Sequence, residues 1–310
     1  MNEFTLIQQY FAALTPPCAS VPQAIGDDCA LLAPPEGKLL AVSIDTQVEG
    51  VHFPVGAAAE QIGRRVACCA LSDLAAMGAQ PLWATLALTL PKADATWLAA
   101  FSRGLGAVLN TWQVRLVGGD TTCGPLTISL QVHGSVASEH ALRRSGARAG
   151  DCIYVTGPLG DGAAGLALLQ GQLSLPAEAA AYLTERFYAP TPQIAAGLAL
   201  AGRATSAIDI SDGLLADLNH ILTASQVGAR LELAALPINP LWAAQVEPDC
   251  ARRWALTGGD DYQLCFTLAP DQTPPLAATA IGVITEALGI IGCEQGHEFA
   301  LTGGGFEHFR

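Results

Sequence analysis

The chain has 310 residues, of which 51% are hydrophobic and 14% charged, which is enough apolar material for roughly two domains of about 150 residues. Its formal net charge of −13 and its two lysines argue against binding to nucleic acid, which depends on neutralising phosphates. No run reaches the ~18 uncharged apolar residues of a membrane span, and the N-terminus MNEFTLIQQYF lacks the pattern of a signal peptide.

The first half of the chain alternates between helical and strand patterns. An amphipathic helix is predicted at about 3–14, and a proline-rich linker follows it. The apolar run LLAVSID predicts a strand that ends at Asp45. The pattern then predicts a helix at about 57–77, the strand WATLALTL, a helix at 94–110, and strands near 114–118 and 126–136.

The polar segment SEHALRRSGARAGD marks a predicted domain boundary, which divides residues 1–137 from residues 138–310. After it, the strand patterns CIYVTG, ATSAIDI, ARLELAAL and YQLCFTL alternate with helical ones. This alternation predicts a layered α/β or α+β fold in two domains. The nine cysteines form no C-x-x-C pair, which favours buried free thiols in a reducing cytoplasm.

Aspartates recur beside Gly, Ser or Thr where predicted elements end. They are Asp27, Asp28, Asp45, Asp73, Asp120, Asp209, Asp212, Asp260 and Asp261. Such acids would repel one another in one fold unless cations gathered them, and the chain has no lysine cluster to neutralise them. Hard divalent cations prefer these oxygen ligands, so the sequence predicts a site for several metal ions, with Mg²⁺ favoured.

Each acid also has a simpler interpretation. Taken alone, Asp212 is better explained as the N-cap of the helix GLLADL. Asp120 fits a turn between Gly-Gly and Thr-Thr as well as it fits a ligand, and Asp27 with Asp28 fits a solvated turn.

Asp73 lies on the apolar face of the predicted helix 57–77, in line with Ile62, Val66, Ala70 and Met77. A carboxylate on that face needs a partner or a metal, because burying it unpaired is costly. The alternative is that the helix breaks at Ser72 and leaves Asp73 as a cap.

Three further features have both a binding and a structural interpretation. The segment GPLGDGAAG at 157–165 fits a backbone cradle for phosphate or a plain strand–helix turn. Arg143, Arg144 and Arg148 could meet phosphate oxygens or only solvent. His52, in EGVHF, lies close in sequence to Asp45 and is otherwise a packed or surface histidine.

Motifs along nearly the whole chain resemble those of the thiamine-monophosphate kinase family, in the wider superfamily of aminoimidazole ribonucleotide synthetase and selenophosphate synthetase. They are IGDDCALL, SIDTQVEGVHF, LSDLAAMGA, LVGGDTT, RRSGARAGD, YVTGPLGDGAAGLALL, AIDISDGLLADLNHI, LTGGDDYQLCFT and GGFEHF. Each motif is weak alone, and their order and combination are specific.

The resemblance implies Mg²⁺-assisted transfer of the γ-phosphoryl group of ATP to thiamine monophosphate. It implies an N-terminal domain that binds metal and ATP and whose mixed sheet dimerises into a barrel. It also implies a C-terminal α/β sandwich that closes the nucleotide cleft. No general base is expected, because the acceptor phosphate is already ionised.

By the same resemblance, three sets of residues take part. Several Mg²⁺ ions would be bound by Asp28, Ser43, the carbonyl of Ile44, Asp45, Asp73, Asp120, Asp209 and Asp212. ATP would contact Gly119, Asp120, Arg144 and Ser211. Thiamine monophosphate would contact His52, Asp260 and Phe306.

The chain departs from the family pattern at three positions. Where the family usually has GGEDYEL, this chain has GGDDYQL, so Asp260 is one methylene shorter and Gln263 is neutral. Ile44 stands where the family usually has Thr. Two alternatives to the kinase remain: another ATP-dependent enzyme of the superfamily, such as a ribonucleotide cyclo-ligase, and a protein that binds Mg²⁺ and nucleotide without catalysis.

Overall fold

The computed structural model describes residues 3–15, 18–301 and 304–306. The chain forms two compact units. The first comprises Met1–Leu74 with Ala79–Ser138, and the second comprises Ala75–Gly78 with Glu139–Arg310. No helix in the described ranges is long and apolar enough to cross a bilayer.

The first unit contains a four-stranded mixed sheet in the order β1-β4-β2-β3. Strands β2 and β3 are parallel, and the other neighbouring pairs are antiparallel. The elements are α1 (Glu3–Tyr10), a 3₁₀ turn (Ala12–Leu14), β1 (Leu39–Val48), α2 (Ala59–Ala76), β2 (Gln80–Leu90), α3 (Ala95–Thr111), β3 (Arg115–Cys123) and β4 (Thr127–Val136).

Alternation along the strands gives this sheet two different faces. On β4, Ile128, Leu130 and Val132 are buried, whereas the residues between them are partly exposed. On the edge strand β1 the opposite face carries Val42 and Ile44, which are 50% and 61% exposed. One face therefore belongs to the core, and the face of β1 that carries Ile44 is open.

The second unit contains a seven-stranded mixed sheet in the order β11-β10-β7-β9-β5-β8-β6. Its strands are β5 (Cys152–Val155), β6 (Ser206–Asp209), β7 (Gly228–Glu232), β8 (Leu264–Leu268), β9 (Thr279–Thr285), β10 (Gly289–Glu294) and β11 (His297–Ala300). Its helices are α4 (Asp161–Leu169), α5 (Ala177–Tyr188), α6 (Ile194–Leu200), α7 (Leu214–Ser225), α8 (Pro240–Ala243) and α9 (Pro248–Thr257). Helix α7 packs its apolar residues, among them Leu218 and Ile221, into the main core.

Several local predictions were wrong. Strand β1 continues past Asp45 to Val48, and β3 continues past Asp120 to Cys123, so both acids lie inside strands. The N-cap of α7 is Gly213, so Asp212 does not cap that helix. One local prediction was confirmed: α2 is continuous to Ala76, so Asp73 lies within the helix and the alternative of a break at Ser72 is excluded.

The described strands of the first unit form an open sheet rather than a closed barrel, with β1 and β3 at its edges. An edge strand has unpaired backbone groups along one side and can accept another strand there. The barrel that the resemblance implies would therefore need a second chain.

Candidate active site

A cavity of about 710 Å³ in the first unit brings two distant motifs together. Asp28, in the turn after Gly26, and Asp120, on β3, both line it and are both exposed. Its other walls are largely apolar and include Phe11 and Leu86. Two carboxylates predicted from motifs about 90 residues apart thus share one cavity.

Backbone geometry places these two acids. Gly119 has φ +152°, and a Cβ there would collide with the carbonyl of Leu86 on the neighbouring strand. Only glycine allows β3 to lie this close to β2 just before Asp120. In the turn, the Asp27 carboxylate accepts the N–H of Asp28 at 2.9 Å, which fixes the local backbone.

A second group of predicted residues lies where β1 meets α2. Ser43 and Asp45 alternate on one face of β1 and are partly buried. The Ser43 hydroxyl donates to Asp73 Oδ2 at 2.5 Å. The Gln47 amide lies 3.4 Å from Asp45 Oδ2. The expectation that Asp73 would face a partner is met by Ser43, while the side chain of Ile44 points to the opposite, open face.

His52 is held at the end of β1 by two hydrogen bonds with Val48, the last residue of that strand. Its backbone N–H donates to the carbonyl of Val48 at 3.0 Å, and its Nδ1 accepts the N–H of Val48 at 3.0 Å. The proton of the neutral ring is therefore assigned to Nε2.

In the second unit, three separate motifs converge on the loop after β6. The N–H of Asp260 donates to the carbonyl of Ser211 at 2.8 Å, and the N–H of Phe306 donates to the carbonyl of Asp212 at 3.2 Å. A Cβ on Gly259 would collide with the Ser211 carbonyl, so only glycine permits this approach. Four residues predicted to bind ATP, metal or substrate are therefore neighbours, namely Ser211, Asp212, Asp260 and Phe306. Residues 307–309 of the motif GGFEHF lie outside the described residues.

Asp217, which the sequence analysis missed, fixes this loop. Its Oδ2 accepts the N–H groups of Ser211, Asp212 and Gly213 at 3.0, 3.0 and 3.1 Å. Burial raises the pKa of Asp217 to about 7. The nearby Asp212 charge also raises this pKa, whereas the three hydrogen bonds lower it. The sequence feature that could have identified Asp217 is its position: it is an acid on the apolar side of a helix, four residues after the glycine N-cap.

The GGDDYQL segment has an unusual backbone. Asp260 and Tyr262 have φ of +67° and +51°, in the left-handed region that non-glycine residues seldom adopt. The Tyr262 hydroxyl donates to Asp260 Oδ1 at 3.1 Å. Gln263 is buried and accepts the Thr156 hydroxyl at 2.8 Å. A neutral side chain suits that position, because an acid there would bury a charge.

The glycine segment 157–165 is a structural turn in this protein. The Asp261 carboxylate accepts the N–H groups of Gly160 at 2.7 Å and Gly162 at 3.0 Å, so these donors are already used. Burial raises the pKa of Asp261 to about 8. Between the two interpretations of this segment, the bonds favour the strand–helix turn over the phosphate cradle.

Asp161, in the same segment, is fully buried in a polar network. Its carboxylate accepts the Tyr182 hydroxyl at 2.5 Å and Trp242 Nε1 at 2.7 Å, and Arg186 Nε lies 3.3 Å from it. Burial, followed by the bond to Asp161, raises the pKa of Tyr182 to about 12. The Arg186 guanidinium also donates to the carbonyl of Asp261 at 3.1 Å, which links the network to the GGDD segment.

The remaining predicted residues of this unit lie in the loop before β5 and at the end of β6. Arg144 has an exposed side chain, as do Arg143 and Arg148. Asp209 is the last residue of β6, is 7% exposed and pairs in register with Leu264 of β8.

Comparison with known proteins identifies the family. Two family models match: AIR synthase related protein, N-terminal domain, at residues 26–136, and AIR synthase related protein, C-terminal domain, at residues 148–266. The thiamine-monophosphate kinase of Escherichia coli strain K12 is 46% identical, over 99% of this chain and 98% of its own length. The chain belongs to the thiamine-monophosphate kinase family.

Solved structures of thiamine-monophosphate kinases share this fold. The crystal structure of the enzyme from Stenotrophomonas maltophilia K279a matches with a TM-score of 0.87 and 43% identity, over 94% of this chain and 96% of that one. The structure of AaThiL complexed with AMPPCP and TMP matches with a TM-score of 0.81 and 31% identity, over 92% of each chain.

The donors expected of a thiamine-monophosphate kinase fit Mg²⁺ by their chemistry. They are carboxylates, a hydroxyl and a carbonyl, all hard oxygen ligands. Among the described residues, no three His, Cys, Asp or Glu side chains already form a group that could hold a metal ion. Mg²⁺ usually takes one or two carboxylates and completes its shell with water and substrate phosphate, so incomplete protein sites are compatible with it.

Proposed function

We propose that this protein transfers the γ-phosphoryl group of ATP to the phosphate of thiamine monophosphate and so forms thiamine diphosphate. The observation that carries the proposal is the 46% identity to a thiamine-monophosphate kinase over 99% of the chain. The relative solved with AMPPCP and TMP supports the same pair of ligands. The contacts among Ser211, Asp212, Asp260 and Phe306 support it further, because motifs implied to bind ATP, metal and substrate meet at one loop.

The reaction depends on positioning and charge neutralisation. The acceptor is an ionised phosphate oxygen, so the protein does not have to remove a proton from it. His52, Asp260 and Phe306 would bind thiamine monophosphate, with the His52 ring oriented by the bond that its Nδ1 accepts from the N–H of Val48. Gly119, Asp120, Arg144 and Ser211 would bind ATP, and the exposed Arg144 offers a forked donor to phosphate.

Several Mg²⁺ ions are part of the proposal. In the first unit they would be bound by Asp28 and Asp120 at the cavity, and by Ser43, the carbonyl of Ile44, Asp45 and Asp73 where β1 meets α2. In the second unit Asp209 and Asp212 would contribute. When bound, such ions neutralise phosphate charge, which lets a protein of net charge −13 bind a polyphosphate.

Incubation with ATP, Mg²⁺ and thiamine monophosphate tests the function. Thiamine diphosphate should appear in proportion to enzyme. ATP hydrolysis that requires formylglycinamidine ribonucleotide would instead favour a cyclo-ligase. Binding of Mg²⁺–ATP without turnover of either substrate would favour a non-catalytic protein.

Replacing Mg²⁺ with Ca²⁺ in this assay should reduce turnover to below about a tenth. Ca²⁺ accepts more ligands at longer and less regular distances, so it positions the phosphates less strictly. The initial rate of thiamine diphosphate formation at saturating concentrations of each ion is the measurement. Equal rates with both ions would contradict the requirement for strict octahedral geometry.

We further propose that the open face of the first unit's sheet binds a second copy, so that the two sheets close into a barrel. Leu40, Val42 and Ile44 alternate on that face of edge strand β1 and are 49%, 50% and 61% exposed. Apolar side chains in a row on an edge strand favour pairing with another chain.

The Val42→Glu substitution should raise the dimer dissociation constant by at least about 100-fold, because it would bury an unpaired charge in the interface. Sedimentation velocity across a concentration series measures the shift. Leu288→Glu is the matched control, since Leu288 is 76% exposed in the second unit. A monomeric wild-type protein, or equal dissociation constants for the two variants, would exclude this interface.

A cytoplasmic location is also proposed. It is supported by the dependence on ATP and by nine cysteines that are all free thiols, as expected in a reducing compartment.

A further inference from the structure

Helix α7 is hydrogen-bonded at both ends to segments that carry predicted ATP contacts. In its first turn, Asp217 accepts three consecutive N–H groups of the loop that contains Ser211. In its last turn, Ser225 bonds to the loop that follows Arg144. Ser225 is eight positions after Asp217, which is about 12 Å along the helix axis.

Asp217 takes over the role that an N-cap side chain normally has. The N-cap of α7, Gly213, has φ +121° and no side chain with which to bind the free N–H groups. Asp217 is 3% exposed, and one of its oxygens binds all three N–H groups of residues 211–213. Without this carboxylate, buried donors would lose their acceptor and the loop would lose the bonds that define its backbone.

Ser225 uses its full hydrogen-bonding capacity at the other end. Its Oγ accepts the N–H groups of Gly146 at 3.1 Å and Ala147 at 3.2 Å, and it donates to the carbonyl of Arg144 at 3.3 Å. A hydroxyl has one donor and two acceptor sites, so all three are occupied. Gly146 has φ +125°, so these bonds hold a turn that a regular element would not form.

We propose that Asp217 and Ser225 are positioning residues for the nucleotide. They fix the backbone at Ser211 and at Arg144 to the two ends of one rigid helix, and so set the separation of these two contacts. The inference rests on the proposed function, because it takes Ser211 and Arg144 as ATP contacts. Neither positioning side chain needs to touch the nucleotide.

The Ser225→Ala variant should raise the KM for ATP by about tenfold, because it removes all three hydrogen bonds of the Ser225 hydroxyl to a contact loop and part of their stabilisation is lost from the bound nucleotide. The kcat and the KM for thiamine monophosphate should stay within about twofold of wild type. Ser225→Thr keeps the hydroxyl and should restore the KM. Thr223→Ala, at an exposed position in the same turn, is the control and should leave all constants unchanged.

The Asp217→Asn variant keeps the shape and one acceptor oxygen and should also raise the KM for ATP by about tenfold. Because the two residues lie at opposite ends of the helix, the double variant should show the product of the two single effects. An unchanged KM in both single variants would overturn the proposal. Equal increases in the KM for ATP and for thiamine monophosphate would also overturn it, because a general loss of order in the site would raise both.

Direct binding separates this inference from the proposed function. Titration calorimetry with a non-hydrolysable ATP analogue and Mg²⁺ measures affinity without turnover. If wild-type protein binds the analogue and Ser225→Ala binds it about tenfold more weakly, the inference stands even where turnover is absent. If wild type and variants bind it equally, the positioning role fails and the kinase function is unaffected. If wild type binds none, the proposed function itself fails, and this inference fails with it.

Discussion

The Asp120→Asn variant is expected to lose at least about 100-fold in the rate of thiamine diphosphate formation while it remains folded. Asp120 is exposed, lines the cavity of the first unit together with Asp28, and follows a glycine that only fits because it lacks a Cβ. Asparagine keeps the size of the side chain and removes its charge. The loss therefore reports the role of the carboxylate in binding Mg²⁺ and phosphate rather than a change in packing.

The matched control is Asp94→Asn in the same unit. Asp94 caps helix α3 by accepting the N–H groups of Thr96 and Trp97, and asparagine caps a helix equally well. Both variants lose one negative charge, and only the first should lose activity. Circular dichroism and thermal unfolding establish that both are folded. Activity within a few-fold of wild type in Asp120→Asn would show that its charge has no role in binding Mg²⁺ or phosphate.

Much of the fold follows from local patterns, which is why most helices and strands were predicted. The apolar stripe of α2 placed Asp73 correctly on the helix face, where Ser43 contacts it. Strand ends were harder, because Asp45 and Asp120 are polar residues within strands. Asp120 is exposed, whereas Asp45 is partly buried on the core-facing side of β1, where it pairs with the buried Leu130. In both strands the backbone pairing continues past the acid, so its charge does not mark the end of the strand.

The candidate site was predictable where the motif itself carries the chemistry. Ser211, Asp212 and Asp260 stand out because acids and small residues cluster in AIDISDG and GGDD. That these segments bond to each other, through the N–H of Asp260 and the carbonyl of Ser211, depends on the sheet order that places β6 beside β8. Spacing along the chain does not contain that information.

Residues that act on the backbone were missed for the same reason. Ser225 looks like an ordinary polar position at the end of an amphipathic helix, and Asp217 is an acid on its apolar side. The partners of both are defined only once the loops have folded against α7. Asp261 was grouped with possible metal ligands, yet it is buried and bound to backbone N–H groups. A carboxylate near a turn can bind a cation or satisfy that turn, and the choice depends on burial.

The Asp161→Ala variant is expected to lose about 3–5 kcal/mol of unfolding free energy, the cost of breaking a buried ion pair by removing one partner. It would leave the Arg186 charge, the Trp242 N–H and the Tyr182 hydroxyl without the carboxylate they now share. Urea denaturation monitored by tryptophan fluorescence measures the loss. The control is Trp242→Phe, which removes one hydrogen-bond donor to Asp161 and keeps the ion pair, so it should lose clearly less unfolding free energy. Because this variant lacks one tryptophan, its unfolding is followed by circular dichroism instead of fluorescence.

The same variant tests what the glycine segment does. Arg186 links Asp161 to the carbonyl of Asp261, and the Asp261 carboxylate binds the N–H groups of Gly160 and Gly162. If these bonds make the segment a structural turn, Asp161→Ala assayed well below its melting temperature should keep its KM for ATP within about threefold. Such a change corresponds to a loss of only about 0.6 kcal/mol in ATP binding free energy. A large increase in the KM for ATP, with kcat preserved, would mean that the glycine segment binds phosphate. The N–H groups of Gly160 and Gly162 would then leave the Asp261 carboxylate when ATP binds.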